Sequence, residues 1–200
     1  MAIRYYDEAL VNLIKQWAGK SEIEVLGPNE TNRLFQMKAQ QNNDKPLNLP
    51  LIALSRDPNI EILSTQKKTL TYDGAHLAMD NKTSIVVNVI PIKINYQLDI
   101  YTRKFDEADE YVRNFLFNFI NYPTISILIP YNNANIKHHS NVLLESQVSD
   151  NSDIPERLIS GQFTRMTIRL TIDDAYLFSV PYMDNWRVKA GNVEIIDKEI

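Results

Sequence analysis

The chain of 200 residues contains no cysteine, five glycines and three histidines. Without a thiol there is no disulfide, no thiolate nucleophile, no cysteine-held iron–sulfur cluster and no thiolate-zinc site. Phosphate cradles need closely spaced glycines so that backbone amides can approach the anion. Gly19, Gly27, Gly74, Gly161 and Gly191 are too far apart to build one. The serine-elbow pattern and the zinc-protease helix signature are missing too. Positive charge is not in excess, because 21 Lys and Arg stand against 25 Asp and Glu, a net charge of −4; a dedicated nucleic-acid binder is disfavoured. The most apolar region, Phe115 to Pro130, is broken by Asn118, Asn121 and Pro123, short of the roughly 20 apolar residues a spanning helix needs. No membrane is expected as a partner. The N-terminus shows no leader pattern, so synthesis in the cytoplasm is expected and the sequons at Asn29 and Asn81 read as chance matches.

What is present reads as one folded domain over residues 1–183 with a C-terminal arm or tail over 184–200. Tyr6, Ala9, Leu10, Leu13, Ile14 and Trp17 recur at three- and four-residue steps, an amphipathic helix over Tyr5 to Trp17 ending near Gly19. Ser21 to Leu26 alternates as a short strand, Gly27-Pro28-Asn29 turns the chain, and Thr31 to Ala39 is a weak helix or irregular. Leu51 to Leu54 reads as a strand stopped at Arg56-Asp57-Pro58, with another over Asn59 to Leu63. Thr65 to Lys82 reads as a long loop excursion with a turn at Tyr72-Asp73-Gly74.

The clearest pattern follows. Ile92, Ile94, Tyr96, Leu98 and Ile100 alternate with Lys93, Asn95, Gln97, Asp99, Tyr101 and Arg103, a long strand with one buried face. Pro91 is expected to separate it from a strand over Ile85 to Ile90. Phe105 to Asn121 changes to a helical period, with Asp106, Glu107, Asp109 and Glu110 favouring its N-terminus. Thr124 to Ile129 is an Ile-rich strand, Tyr131 to Ser140 a polar loop, Val142 to Val148 a strand and Ser149 to Pro155 a loop. Gln162 to Asp173 is a second long strand, and Tyr176 to Val180 is expected to fold back on it through a turn at Asp173-Asp174. The fold class expected is α+β: a mostly antiparallel sheet with two amphipathic helices packed on one face, long loops and a C-terminal arm.

Few groups offer chemistry. His138 and His139 are adjacent, so in an extended segment they point to opposite sides and chelate poorly; with His76 they read as surface-loop histidines. The carboxylates at 106–110 and 173–174 read as a helix start and a turn. No catalytic residue, metal site or cofactor is expected. Tyr5, Tyr72, Tyr101, Tyr131 and Tyr182 fall in loops, strand ends or polar faces, where aromatics often supply interface area.

The run Pro91-Ile92-Lys93-Ile94-Asn95-Tyr96-Gln97-Leu98-Asp99-Ile100-Tyr101-Thr102-Arg103, followed by Asp106-Glu107 and an aromatic-rich helix, resembles the tail terminator or tail sheath stabiliser (tail completion) proteins of contractile-tailed bacteriophages. The later order of elements, through an aromatic-proline end at Phe178 to Tyr182, is similar to that family as well, over about residues 85 to 183. The resemblance implies a structural protein of the virion, made in the host bacterial cytoplasm. It implies a homo-hexameric ring that caps the tail tube protein, holds the tail sheath protein and receives the neck and head-completion proteins. DNA would pass the lumen without being gripped. Tyr72, Asp73, His76, Tyr131, Asn135, His138, His139, Tyr182 and Trp186 are the candidate interface residues, from their place in polar loops and the arm. Another head-to-tail connector ring, or a small soluble enzyme or ligand-binding module using its histidines, are the alternatives.

Overall fold

The computed structural model describes residues 3–19, 23–33, 48–63, 68–72, 85–131, 134–153, 162–178, 186–189 and 192–195. Helix α1 (Ile3–Ala18) buries the stripe Ile3, Tyr6, Leu10, Ile14 and Ala18. It stops at Gly19, whose φ of 68° is the left-handed conformation that glycine adopts without a Cβ clash. Asn114 Nδ2 donates to the Trp17 carbonyl at 2.6 Å, so a second helix satisfies one of the open acceptors at this end. After β1 (Glu24–Leu26), residues 28–33 form the helical turn α2. Pro28 occupies its first position and Glu30 Oε2 accepts from the Gly27 amide at 3.0 Å, the third-residue half of a capping box.

The remaining strands are β2 (Leu51–Ile62), β3 (Lys68–Tyr72), β4 (Ile85–Thr102), β5 (Thr124–Tyr131), β6 (Ala134–Asp150), β7 (Thr164–Phe178), β8 (Trp186–Lys189) and β9 (Asn192–Ile195); helix α3 (Phe105–Asn121) follows β4. The main sheet runs β1-β2-β4-β7-β6-β5, with β3 also on β4. Among the described residues, only β1 and β2 run parallel. α1 touches both β1 and β5, the two ends of that order, so the sheet curls round it. Both long helices pack on one face, as the apolar stripes require, and share its core with Ile52, Leu54, Ile94, Leu98, Ile100, Ile168, Leu170 and Ile172. Burying such side chains contributes about 1.5–3 kcal/mol each. The α+β class is therefore observed, and so is the amphipathic pairing of helices and sheet.

Several boundaries differ from expectation because ladder pairing overrides local punctuation. Pro91 does not divide β4: it lies inside the continuous strand, opposite Tyr176, and its carbonyl accepts from the Leu63 amide. Arg56-Asp57-Pro58 does not stop β2 either. Arg56 pairs with Tyr96 and Ile60 with Ile94, so the proline is absorbed in a bulge where two extra residues leave the ladder. Residues 68–72, expected within a loop excursion, form β3 and continue the line of β2 along β4; residues 73–82 lie outside the described residues. The stretch expected as a polar loop from Tyr131 to Ser140 belongs to strands instead, with Tyr131 ending β5 and 134–140 opening β6, paired from Tyr131↔Ala134 to Ile125↔Ser140; residues 132–133 lie outside the described residues. Asp173-Asp174 does not turn the chain. β7 runs on to Phe178, with a one-residue bulge where Ile94 pairs with Ile172 and Ile92 with Ala175. Strand β6 pairs with β5 up to Asn141 and with β7 from Val142, and it too extends past the expected end, to Asp150.

Candidate functional site

Alternation along β4 and β7 sends Asp99, Tyr101, Arg165 and Thr167 to the face away from the helices. The register sets Tyr101 opposite Arg165 and Asp99 opposite Thr167. Arg165 grips Asp99 with two bonds, Nε to Oδ1 at 3.2 Å and Nη2 to Oδ2 at 3.1 Å. Thr167 Oγ1 donates to the same carboxylate at 2.6 Å, and Gln97 Nε2 reaches both of its oxygens. The Arg165 guanidinium lies 5.4 Å from the Tyr101 ring centre. Asp99 is 6% and Tyr101 2% exposed, beside Leu51 and Ala53. This face was expected to be wet; it is dry because the fork satisfies the charge in place of water. Such an arrangement fixes register and leaves the carboxylate no open lone pair for chemistry.

A second carboxylate sits in the helix-covered core. Asp7 on α1 accepts from the Tyr96 hydroxyl at 2.9 Å and from Arg56, at the edge of the β2 bulge. Burial pushes the Asp7 carboxyl up from its usual range, with the Tyr96 hydroxyl and Arg56 acting against it. The Tyr96 phenol is also pushed up, first by burial and then by Asp7. The bridge ties helix to sheet.

The third cluster holds a residue singled out from the sequence. His138 is buried, at 9% exposure, in place of the surface-loop position expected. Strand alternation turns it inward and His139 outward, as two adjacent histidines must in an extended segment. Its ring stands edge-on to Tyr176 at 5.0 Å, Phe178 at 5.9 Å and Tyr6 at 6.4 Å. Burial lowers its pKa. Asp174, in the β7 bulge, accepts from the Asn141 amide at 2.8 Å and from Asn141 Nδ2 at 3.3 Å, where β6 changes partner. Burial raises the Asp174 carboxyl. Among the described residues, no three of His, Cys, Asp and Glu gather as a metal-binding group, and no helix is long and apolar enough to cross a membrane.

The expected interface residues are scattered. Tyr72 ends β3, Tyr131 ends β5, and Trp186 opens β8. Asn135 and His139 are exposed on β6. Asp73, His76 and Tyr182 lie outside the described residues. The rings around His138 include Tyr6, Tyr176 and Phe178, none of which was among the expected interface residues. Missed from the sequence are the large apolar residues that the core leaves out: Phe117 at 62%, Ile120 at 67%, Tyr122 at 62% and Leu128 at 60% exposure. Their signal was present, since Phe117 and Ile120 fall off the apolar stripe of α3. No family model and no curated protein matches this chain.

Proposed function

We propose that the chain is a structural subunit of a phage virion, a ring of six that terminates the tail tube, stabilises the top of the sheath and joins the tail to the neck. The observation that carries this reading is the junction Tyr101-Thr102-Arg103 into α3, on which the resemblance rests. Here a fully paired central strand ends, the Thr102 hydroxyl donates to the Lys104 carbonyl at 2.8 Å, and two residues later the acid-rich helix begins. The elements after it, β5, β6 and β7, come in the order the resemblance implies.

Physical features agree with such a role. Strands of 18, 17 and 15 residues pair side by side in one sheet, giving a rigid body. Asp7 is held by Arg56 and Tyr96 and Asp99 by Arg165, Thr167 and Gln97, while His138 Nε2 lies 3.4 Å from the Asp174 carbonyl. Large apolar residues are left on the outside, as heterologous contacts that close a ring require.

The test is the native mass of the purified chain by light scattering, with negative-stain images of the same fraction. Six chains of 23.2 kDa give about 139 kDa and a closed ring. Added to polymerising tail-tube protein from the same genome, the ring is expected to sit on tube ends and arrest growth. A chain that stays monomeric and leaves tubes uncapped would overturn the proposal.

A further inference from the structure

Strand β5 is the last in the order of the main sheet and pairs with β6 on one side alone. The directions of its backbone groups follow from β6. There the Val142 amide donates to the Pro123 carbonyl, toward β5, and the Asn141 amide donates to Asp174 Oδ1, toward β7. Residues of an antiparallel ladder alternate in the side to which they bond. Ser140, His138 and Ile136 therefore bond toward β5, and their partners Ile125, Ile127 and Ile129 are spent on β6. Thr124, Ser126 and Leu128 aim their N–H and C=O groups out of the sheet, and among the described residues no hydrogen bond meets them. Pro130, next in that row, has no amide hydrogen.

Two other edges of the sheet are guarded against pairing. β1 is three residues long and opens with Glu24, and the outer side of β2 is broken at its bulge, where Asp57 and Pro58 are exposed. From Thr124 to Ile129, β5 has neither device: it carries no charge and no proline, and every second residue is isoleucine. A strand that meets its own copy sets like residues near one another, where any charge would repel its twin, so an uncharged edge suits that partner. We propose that β5 of one chain pairs antiparallel with β5 of a second copy, about a two-fold axis at Ser126.

The proline selects this register. With Ser126 opposite Ser126, and Thr124 opposite Leu128 of the other copy, both backbone groups of all three outward residues are paired and Pro130 stays outside the ladder. A shift that sets Pro130 opposite Thr124 leaves the Thr124 carbonyl without a donor. The chosen register also carries Tyr122, 62% exposed at the end of α3, to the position opposite Pro130, and lays Leu128, 60% exposed, beside Thr124. The isoleucines stay in the core of their own chain. Such a contact is isologous and closes at two copies, so it rests on no part of the ring reading; in a ring built through other surfaces it joins one ring to a second.

The absence of native cysteine gives a clean test, the oxidation of full-length chains carrying one cysteine each. Ser126→Cys places two thiols on strands whose Cα atoms are about 5.5 Å apart, within disulfide reach. His139→Cys, exposed on β6 directly opposite Ser126, is three strand spacings, about 14 Å, from its twin and serves as the control. Disulfide-linked pairs of chains are expected to form about tenfold faster with Ser126→Cys. Equal rates overturn the proposal and leave the edge to a strand of another protein. Charge tests the register in the same Ser126→Cys chain. Thr124→Lys with Leu128→Lys sets like charges opposite and is expected to slow linkage about tenfold, whereas Thr124→Lys with Leu128→Glu sets opposite charges there and is expected to keep it. Both pairs of substitutions change the same exposed positions, and equal rates for the two overturn the pairing. A ring of six that cross-links at the control rate removes the β5 contact and leaves the ring reading standing; fast cross-linking in chains that cap no tube does the reverse.

Discussion

On the helix side of β4, Ile92, Ile94, Leu98 and Ile100 are dry because α1 and α3 cover them. On the other side, Asp99 and Tyr101 are dry as well, but there the center is a carboxylate held by Arg165, Thr167 and Gln97. The first face depends on area and volume, which many side chains could supply. The second depends on direction. A two-residue slip of β7 against β4 would keep the apolar residues of β7 on the helix side yet take Thr167 from its place opposite Asp99, so the polar face selects among registers that the apolar face alone allows.

Substitutions can break this contrast. The largest loss is expected from Phe115→Ala on the helix face, about 4 kcal/mol in urea unfolding, because a fully buried ring leaves a cavity. Arg165→Met should cost about 3 kcal/mol by stranding the buried Asp99 charge. Adding Asp99→Asn should recover much of that loss, whereas no second polar substitution rescues Phe115→Ala. If the double variant is no better than the single one, the fork is not what makes the second face costly to cut. Tyr96→Phe removes one donor from Asp7 while Arg56 remains, and a loss of about 1 kcal/mol is expected from the same denaturation curves.

The acid dependence sharpens the comparison further. His138 has a folded pKa below its ordinary 6.5, so the unfolded chain binds the proton more readily and stability falls as pH drops through 6.5 toward the lowered value. Asp7 and Asp174 have the opposite sign. Their raised values favour the folded state below 3.8, a contribution lost as pH rises through the folded values. His138→Asn should therefore flatten the stability profile just below pH 6.5, measured by thermal melts across pH, and leave the acid end unchanged. The smallest effect, within about 0.5 kcal/mol, is expected for Phe117→Ala, which contributes little to the fold of a single chain.

The apolar face was legible in the sequence because burial there follows a period, two along β4 and β7 and near 3.6 along α1 and α3. The class of fold and the packing of both long helices follow from those periods alone. The polar face was not legible. Asp99 and Arg165 lie 66 residues apart, and nothing in either local pattern states that they meet. Prolines and paired acids misled for a related reason: Pro58, Pro91 and Asp173-Asp174 are turn signals locally, but a long neighbouring strand absorbs each of them in the ladder or at a bulge. His138 was placed on the surface because the polar residues around it belong to a hairpin whose other face is apolar. Phe117 and Ile120 were visible as departures from the helical stripe, and a departure has meaning only once the stripe's cover is known.

The pairing of β4 with β7, from Thr102↔Thr164 to Val89↔Phe178, also sets a schedule for biosynthesis. As the chain leaves the ribosome, β2, β4 and the β5–β6 hairpin emerge while one long edge of β4 has no partner. That edge is rich in Val and Ile and stays open until the last quarter of the chain is made. Nascent chains of this protein are thus most prone to associate wrongly late in translation, and β7 is the segment whose arrival ends that exposure.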